Sequence, residues 1–300
     1  MRQEAYFCTV KELDELGKNN IPRQLISHTH LIYSSPATLA FNSPGAEGFG
    51  VKRAGLAVPD SVMLIVSPGC CGRNTSVLSS MRAYQDRFYY LLMDETDIVT
   101  GRHLKKIPKA VAEICEGLKK KPSVVMICIT CVDALLGTDM ERVCHKAEEY
   151  AGVPVRPCYM YALTREGRKP PMVHVRQSVY SLLEPKKKKG NVVNLLGYFS
   201  PLTDDCELYD LLHGAGVKTI HEISRCKDYA QYQTMSEANF NLVLHPEARF
   251  AAEDFHDRLK IPYIELRRLY QIDKIASQYR AFAAALGVEF EDEIPRKAAE

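Results

Sequence analysis

Short apolar runs alternate with amphipathic segments along the first half of the chain. Runs of this length predict buried strands, at residues 62–66, 88–93, 124–130 and 153–157. Apolar positions at helical spacing predict helices, at residues 104–119, 134–150 and 173–183. Fully apolar strands that alternate with helices are typical of parallel sheets covered on both faces.

The same alternation starts again at Asn191. The predicted strands are residues 192–196, 217–223, 242–245 and 263–266, and the predicted helices are 205–213, 248–259 and 271–286. We therefore predict an α/β protein with two Rossmann-like domains, at residues 61–185 and 190–290, after an N-terminal segment at 1–60. The lysine run at 186–189 is interpreted as a solvated linker between them.

Charge and hydropathy narrow the class of protein. The chain has 39 basic and 37 acidic residues, so its balance favours neither nucleic acid nor a membrane surface as a partner. Its longest apolar runs are too short to span a bilayer, and residues 1–10 contain no apolar signal region. We expect a cytoplasmic protein with no membrane and no nucleic-acid partner.

Ten cysteines need another explanation than disulfides, because the cytosol keeps thiols reduced. Cys70 and Cys71 follow the first predicted strand, and Cys131 closes the third. Carboxyl ends of parallel strands meet at one edge of a sheet, and thiolates gathered there suit an iron–sulfur cluster. Cys128 lies inside the apolar strand and is interpreted as core packing. No GxxxxGK[ST] motif occurs, so we expect no ATP binding by a P-loop.

Several segments resemble the nitrogenase component 1 superfamily. Residues 97–107 resemble its D-V-V-F-G-G-x-x-K-L segment, and residues 131–139 resemble T-C-x-x-x-I-G-D-D, with Thr138 replacing one aspartate. Residues 67–70 are similar to the H-G-P-x-G-C loop without its histidine. In the second half, residues 191–197 resemble N-I-I-G and residues 261–264 resemble G-I-P-Y.

The resemblance implies a reductase subunit that receives electrons from a separate iron-protein ATPase through a cluster at a subunit interface. Carried onto this chain, Cys70 and Cys131 are cluster ligands, and Cys71 is an alternative to Cys70 or a third ligand. An early family cysteine is replaced here by Ala46. Two ligands per subunit still make four across a two-fold axis, which predicts one [4Fe–4S] cluster shared with a second copy or a homologous subunit.

The second domain carries the candidate catalytic residues. Residues 241–245 resemble the family's N-L-V-H-C strand, whose last cysteine anchors the catalytic cofactor, and His245 stands in its place. An imidazole is able to ligate iron or nickel, to donate a proton, or simply to bond to the backbone. Arg249, one helical turn further on, is a candidate for holding an anionic substrate.

Three functions follow for testing. The first is a nitrogenase-like reductase subunit that passes electrons to a bound substrate or metallocofactor. The alternative is a non-catalytic cluster carrier or scaffold for metallocofactor assembly, which is favoured by the missing anchoring cysteine and by the expectation of a short form without the family's third domain. The third is a binding module without a cluster, in which all cysteines are packing residues.

Overall fold

The computed structural model describes residues 9–17, 20, 50–69, 79–130, 132–133, 136–160 and 169–288. Its strands are β1 (Val62–Ser67), β2 (Phe88–Leu92), β3 (Val125–Ile129), β4 (Val155–Tyr159), β5 (Val192–Leu196), β6 (Thr219–His221), β7 (Phe240–Val243) and β8 (Tyr263–Glu265). Its α-helices are α1 (Val10–Leu16), α2 (Gly50–Gly55), α3 (Glu95–Thr100), α4 (His103–Gly117), α5 (Met140–Ala151), α6 (Pro171–Tyr180), α7 (Glu207–Gly214), α8 (Tyr229–Gln233), α9 (Arg249–Leu259) and α10 (Ile272–Leu286). Short 3-10 turns are at Ile223–Arg225, Thr234–Glu237 and Pro246–Ala248.

The strands form two four-stranded parallel sheets with the same order. The first runs β2-β1-β3-β4 and the second β6-β5-β7-β8. Every residue of β1, β3 and β5 is buried, because helices cover both faces of the central strands. The predicted fold class, α/β with parallel sheets flanked by helices, is confirmed.

One hydrophobic core is shared by the two sheets. Side chains of α2 and α6 pack with Met63 and Met126 of the first sheet and with Leu196 and Val243 of the second. At the centre of this shared core, the rings of Tyr180 in α6 and Phe255 in α9 meet edge to face, 5.3 Å apart. The helix α6 therefore belongs to the packing of both sheets.

The outer faces have separate cores. Helices α4 and α5 cover the first sheet with side chains such as Val111 and Ala147. Helices α7 and α10 cover the second with side chains such as Leu212 and Phe282. The predicted domain limits at residues 185 and 190 lie between the two sheets but stay a prediction.

Local differences from the predicted elements have local causes. Helix α5 begins at Met140 instead of residue 134, because Gly137 has a left-handed φ of 65° and the Asp139 carboxylate accepts the Arg142 N–H at 3.1 Å as a cap. Helix α3 was not predicted; the Asp94 carboxylate caps it by accepting the Asp97 N–H at 2.6 Å.

Membrane insertion was also considered at the level of single helices. None of the helices in the described ranges combines the length and the apolar composition that a bilayer crossing requires.

Candidate functional site

A cavity of about 1040 Å³ lies between the two sheets. Its first-sheet wall, as we call it, is formed by Arg53, Ala57, Tyr84 and Arg87. Its second-sheet wall is formed by Tyr198, Ser224, Lys227, His245 and Glu247. The second-sheet wall belongs to the loops that follow β5, β6 and β7, where parallel sheets commonly bind ligands.

The two sheets turn opposite ends toward this cavity. Arg53 and Ala57 precede β1, and Tyr84 and Arg87 precede β2, so the first-sheet wall lies at the amino end of its strands. Cys70, Cys71 and Cys131 follow the carboxyl ends of β1 and β3 in the sequence. A six-residue strand such as β1 is about 20 Å long. The cavity and the carboxyl ends of β1 and β3 therefore lie at opposite ends of the first sheet.

Cations dominate the lining of the cavity. The Arg87 guanidinium is held by backbone carbonyls, with Nη2 donating to Leu56 O at 2.8 Å and Nε to Ser61 O at 2.9 Å. Burial lowers the pKa of Arg87 from its ordinary value. Among the described residues, Arg53, Arg87 and Lys227 make no ion pair with a carboxylate. Such a lining favours an anionic ligand.

His245 ends the segment after β7 and is half-buried in the second-sheet wall. Its Nδ1 accepts a hydrogen bond from the backbone N–H of Glu247 at 3.3 Å. The ring lies edge-on to Tyr198, with centroids 5.7 Å apart. Burial lowers the pKa of His245, and the positive charges of Arg176 and Arg268 lower it further. Both effects favour the neutral form of the ring.

Gly197 and Arg176 fix the backbone around His245. Gly197 has a φ of 138°, and a Cβ there would lie 2.8 Å from both Cβ and N of His245, so only glycine fits. The buried Arg176 donates from Nη2 to Gly197 O at 2.6 Å and from Nη1 to Glu247 Oε2 at 2.8 Å. Helix α6 thereby ties the loop after β5 to the turn after β7.

Arg249 lies at the start of α9 and points its guanidinium at β8. Its Nη2 donates to Glu265 Oε2 at 2.8 Å and its Nε to Glu265 Oε1 at 3.0 Å. These bonds raise the pKa of Arg249. Arg249 is not part of the cavity lining.

The carboxyl edge of the first sheet, which we call the cysteine edge, is defined by Ser67, Thr130, Asp133 and the predicted ligands. Cys70, Cys71 and Cys131 themselves lie outside the described residues. Ser67 Oγ, Thr130 Oγ1 and Asp133 Oδ2 are buried and make no hydrogen bond to the part of the chain that the structure describes. Buried polar atoms normally have a partner, so this edge has unused hydrogen-bonding capacity.

A buried histidine braces this edge. His103 Nδ1 lies 3.0 Å from the backbone carbonyl of Asp97 and therefore carries a proton, because a carbonyl only accepts. His103 Nε2 lies 3.0 Å from Asp133 Oδ1, so a second proton is shared between these two atoms. Thr138 Oγ1 donates to the same carboxylate oxygen at 3.1 Å. The brace links α4 to Asp133 and Thr138, which follow β3 in the sequence.

Asp97, the first residue of the motif at 97–107, is also buried. Lys106 Nζ donates to its two oxygens at 2.7 and 2.8 Å, and Arg102 Nε donates at 2.8 Å. These side-chain hydrogen bonds, that of Lys106 first, lower the pKa of Asp97 to about 2. The motif's aspartate thus anchors the start of α4.

The other described cysteines are packing residues or thiols whose pKa is raised by burial. Cys128 and Cys158 are fully buried in neighbouring strands. Cys226 lines the cavity, but burial raises its pKa to about 11, so it remains a thiol. Within the described ranges, no three His, Cys, Asp or Glu side chains are grouped closely enough to hold a metal ion. A metal site in the cavity would therefore draw at most two such side chains from the described residues.

Sequence reasoning found His245 but missed most of the cavity. The residues of the first-sheet wall come from α2 and from the turn before β2, where no motif or periodicity marks them. The brace of His103 and Asp133 was missed because 30 residues separate its members.

Comparison with known proteins identifies the family. The model of the nitrogenase component 1 type oxidoreductase family matches residues 47–300. The chain therefore belongs to this family, and the resemblance inferred from its motifs is confirmed.

Similar proteins point to a narrower group. The nitrogenase iron-molybdenum cofactor biosynthesis protein NifE of Nostoc sp. is 27% identical over 239 residues, which cover 77% of this chain and 49% of that protein. NifE of Klebsiella pneumoniae is 26% identical over 266 residues, covering 81% and 58%. The chain thus spans about half the length of the curated relatives that it matches.

A solved structure supports the fold. The structure of nitrogenase Cp1 at pH 6.5 superposes with a TM-score of 0.60 at 18% identity, covering 81% of this chain and 58% of that one. At this identity the likeness concerns the fold alone.

Proposed function

We propose that this chain is a scaffold on which a nitrogenase-type metallocofactor is assembled. The cavity between the sheets would hold the cargo, a precursor of that cofactor. The observation that carries the proposal is the cavity itself, which is large, is lined by more cations than carboxylates, and has no chelating group of three side chains among the described residues. The similar proteins named for iron-molybdenum cofactor biosynthesis support the same function.

The scaffold would also hold a resident iron–sulfur cluster, with Cys131 and Cys70 or Cys71 as its thiolate ligands. The unused hydroxyls of Ser67 and Thr130 fit such a group, because thiolate and sulfide sulfurs accept hydrogen bonds. The cluster would supply one-electron redox chemistry. A [4Fe–4S] cluster shared across a two-fold axis with a second copy or a homologous subunit matches two ligands per chain.

A second candidate is the reductase subunit, because the matching family is described as an oxidoreductase. An iron-protein ATPase would then deliver electrons through the cluster to a substrate near His245. In this function His245 would donate a proton, and Arg249 would leave Glu265 to hold an anionic group. The bidentate pairing of Arg249 with Glu265 makes that second role costly.

Iron content tests the cluster. The protein is purified without oxygen and reconstituted as wild type, Cys131→Ala and Cys128→Ala. We expect about two irons per chain in the wild type, as for one four-iron cluster shared by two chains. Cys131→Ala should lose the iron and the reduced S = 1/2 EPR signal. Cys128→Ala, in the same strand but in the core, should keep both. Equal iron in all three would remove Cys131 from the ligands.

Transfer separates the two functions. Chain loaded with extracted cofactor is mixed with a cofactor-free nitrogenase component 1, and in parallel with an iron protein, ATP and dithionite. A scaffold activates the acceptor and consumes no reductant above the iron protein alone. Sustained reductant consumption without transfer would establish the reductase instead.

A further inference from the structure

The second-sheet wall of the cavity carries hydrogen-bond donors that no group in the described part of the chain accepts. His245 Nε2 makes no hydrogen bond to a described residue. The hydroxyl of Ser224 is buried and has no hydrogen-bond partner within the described ranges. Lys227 adds an ammonium group that makes no ion pair with a described carboxylate. All three lie in the loops after β6 and β7.

The tautomer of His245 follows from its backbone partner. The Glu247 N–H can only donate, so His245 Nδ1, which lies 3.3 Å away, must accept and carries no proton. In a neutral imidazole the single proton then sits on Nε2. Burial and the charge of Arg176 lower the pKa of His245, which supports the neutral ring at pH 7.

This tautomer is unsuited to binding a metal ion through Nε2 of His245. A histidine that binds a metal through Nε2 normally donates its Nδ1–H to a carbonyl, carboxylate or water. Here the Glu247 carboxylate, 3.7 Å from Nδ1, is already bonded to Arg176, and a backbone N–H occupies the acceptor position. A metal at Nε2 would require either that the ring lose its only proton or that Nδ1 give up the hydrogen bond from the Glu247 N–H.

We propose that the second-sheet wall is an anion-binding site that holds its ligand by donation from His245 Nε2–H, Ser224 Oγ–H and the Lys227 ammonium, and not by a bond from His245 to a metal. The ligand class is an anionic group rich in acceptors, such as an oxyanion or a sulfide-bearing face. The identification of this ligand as the cargo rests on the proposed function. The tautomer of His245 and the existence of the anion site do not depend on it.

This mode of binding suits a ligand that has to leave. Hydrogen bonds from a neutral imidazole, a hydroxyl and an ammonium exchange with water without breaking a metal–ligand bond. Arg176 and Glu247 are positioning residues here, because they hold the turn that presents the N–H to His245.

The tautomer is measured on the full chain with 15N-labelled histidine by long-range 1H–15N correlation at pH 8, with the His245 signals assigned by their loss in His245→Gln. The wild type should show a protonated Nε2 and an unprotonated Nδ1. Glu247→Gln keeps the N–H and should keep this pattern, whereas Glu247→Pro removes the N–H and should let the proton move to Nδ1. A protonated Nδ1 in the wild type overturns the proposal, even if Glu247→Pro does not fold.

Two probes then test the ligand class. Inorganic phosphate should shift the His245 Nε2–H signal, and Ser224→Ala should weaken phosphate binding about tenfold, because a hydrogen bond to a charged acceptor is lost. Co²⁺ alone should give the same spectrum in wild type and His245→Gln, whereas His245→Cys should add a thiolate band. A His245-dependent Co²⁺ spectrum, or no response to phosphate at saturation, overturns the proposal. Neither readout depends on cofactor transfer, so it fails separately from the scaffold function.

Discussion

The two sheets have the same strand order. Their carboxyl edges differ in whether the polar side chains there are bonded to other protein groups. At the cysteine edge, His103 and Asp133 are buried and bonded to each other, and Asp133 Oδ2 is left without a partner among the described residues. At the second-sheet wall, His245 and Lys227 face the cavity, and they carry hydrogen-bond donors for which the described residues offer no acceptor. The same supersecondary layout thus serves rigid support in one case and an open binding surface in the other.

The largest effect should follow from breaking the support. Asp133→Ala leaves His103 Nε2 and Thr138 without their shared acceptor in the core, so we expect a loss of about 3 kcal/mol in the free energy of unfolding. Asp133→Asn keeps a partner for His103 and should cost far less. Urea unfolding followed by far-UV circular dichroism measures both. Equal stability of the two variants would mean that the brace is not structural.

Gly197→Ala should come second. The new Cβ would lie 2.8 Å from the backbone N of His245, and a φ of 138° is strained for alanine. We expect a loss of about 2 kcal/mol in unfolding free energy and a displaced His245 signal. Gly214→Ala, where a Cβ meets nothing within 4 Å, is the control and should be nearly neutral. A harmless Gly197→Ala would contradict the close approach.

Acid should weaken the anchoring of α4 beside the cysteine edge before it affects the cavity. The pKa of Asp97 is lowered from 3.8 to about 2 by hydrogen bonds from Lys106 and Arg102. Its contribution is therefore fully present above pH about 4 and is lost as the pH falls through about 2. The free energy of unfolding is measured between about pH 5 and about pH 2. It should fall less steeply with decreasing pH for Asp97→Asn than for the wild type. Identical pH dependence in both proteins would refute the role of this carboxylate.

The smallest effect on stability should come from the open wall. His245→Gln removes a half-exposed ring, so we expect a change below about 0.5 kcal/mol in unfolding free energy. Binding of inorganic phosphate at the wall should nevertheless weaken about tenfold. A thermal melt together with a phosphate titration measures both. A large loss of stability would place His245 among the supporting residues and erase the contrast between the two edges.

The sequence predicted the sheets far better than the spaces between them. Strand β5 was predicted with its observed limits, because five buried apolar or amide residues stand between Asn191 and Gly197. Helix α3 was missed, since six residues with few apolar positions carry no periodic signal. Periodicity reports burial along one element and not which distant element faces it.

The candidate site shows the same limit. His245 was proposed because residues 241–245 resemble a strand of the family, and the structure places it in the cavity lining, while its role stays a prediction. Arg249 was assigned to an anion from its spacing alone, whereas the structure pairs it with Glu265, sixteen positions away. The roles of the three candidate cysteines stay predictions. Arg53 could not be connected to Lys227, because the cavity that both line exists only when two sheets are packed together.

The helix α6 has a consequence for how a ligand enters. Tyr180 and Val179 of this helix lie in the core that both sheets share, and Arg176 of the same helix grips the turn beside His245. Rotating one sheet away from the other would split that core and expose its apolar side chains to water. The shared core therefore opposes such a rotation, and we expect the two walls of the cavity to keep their separation when a ligand binds.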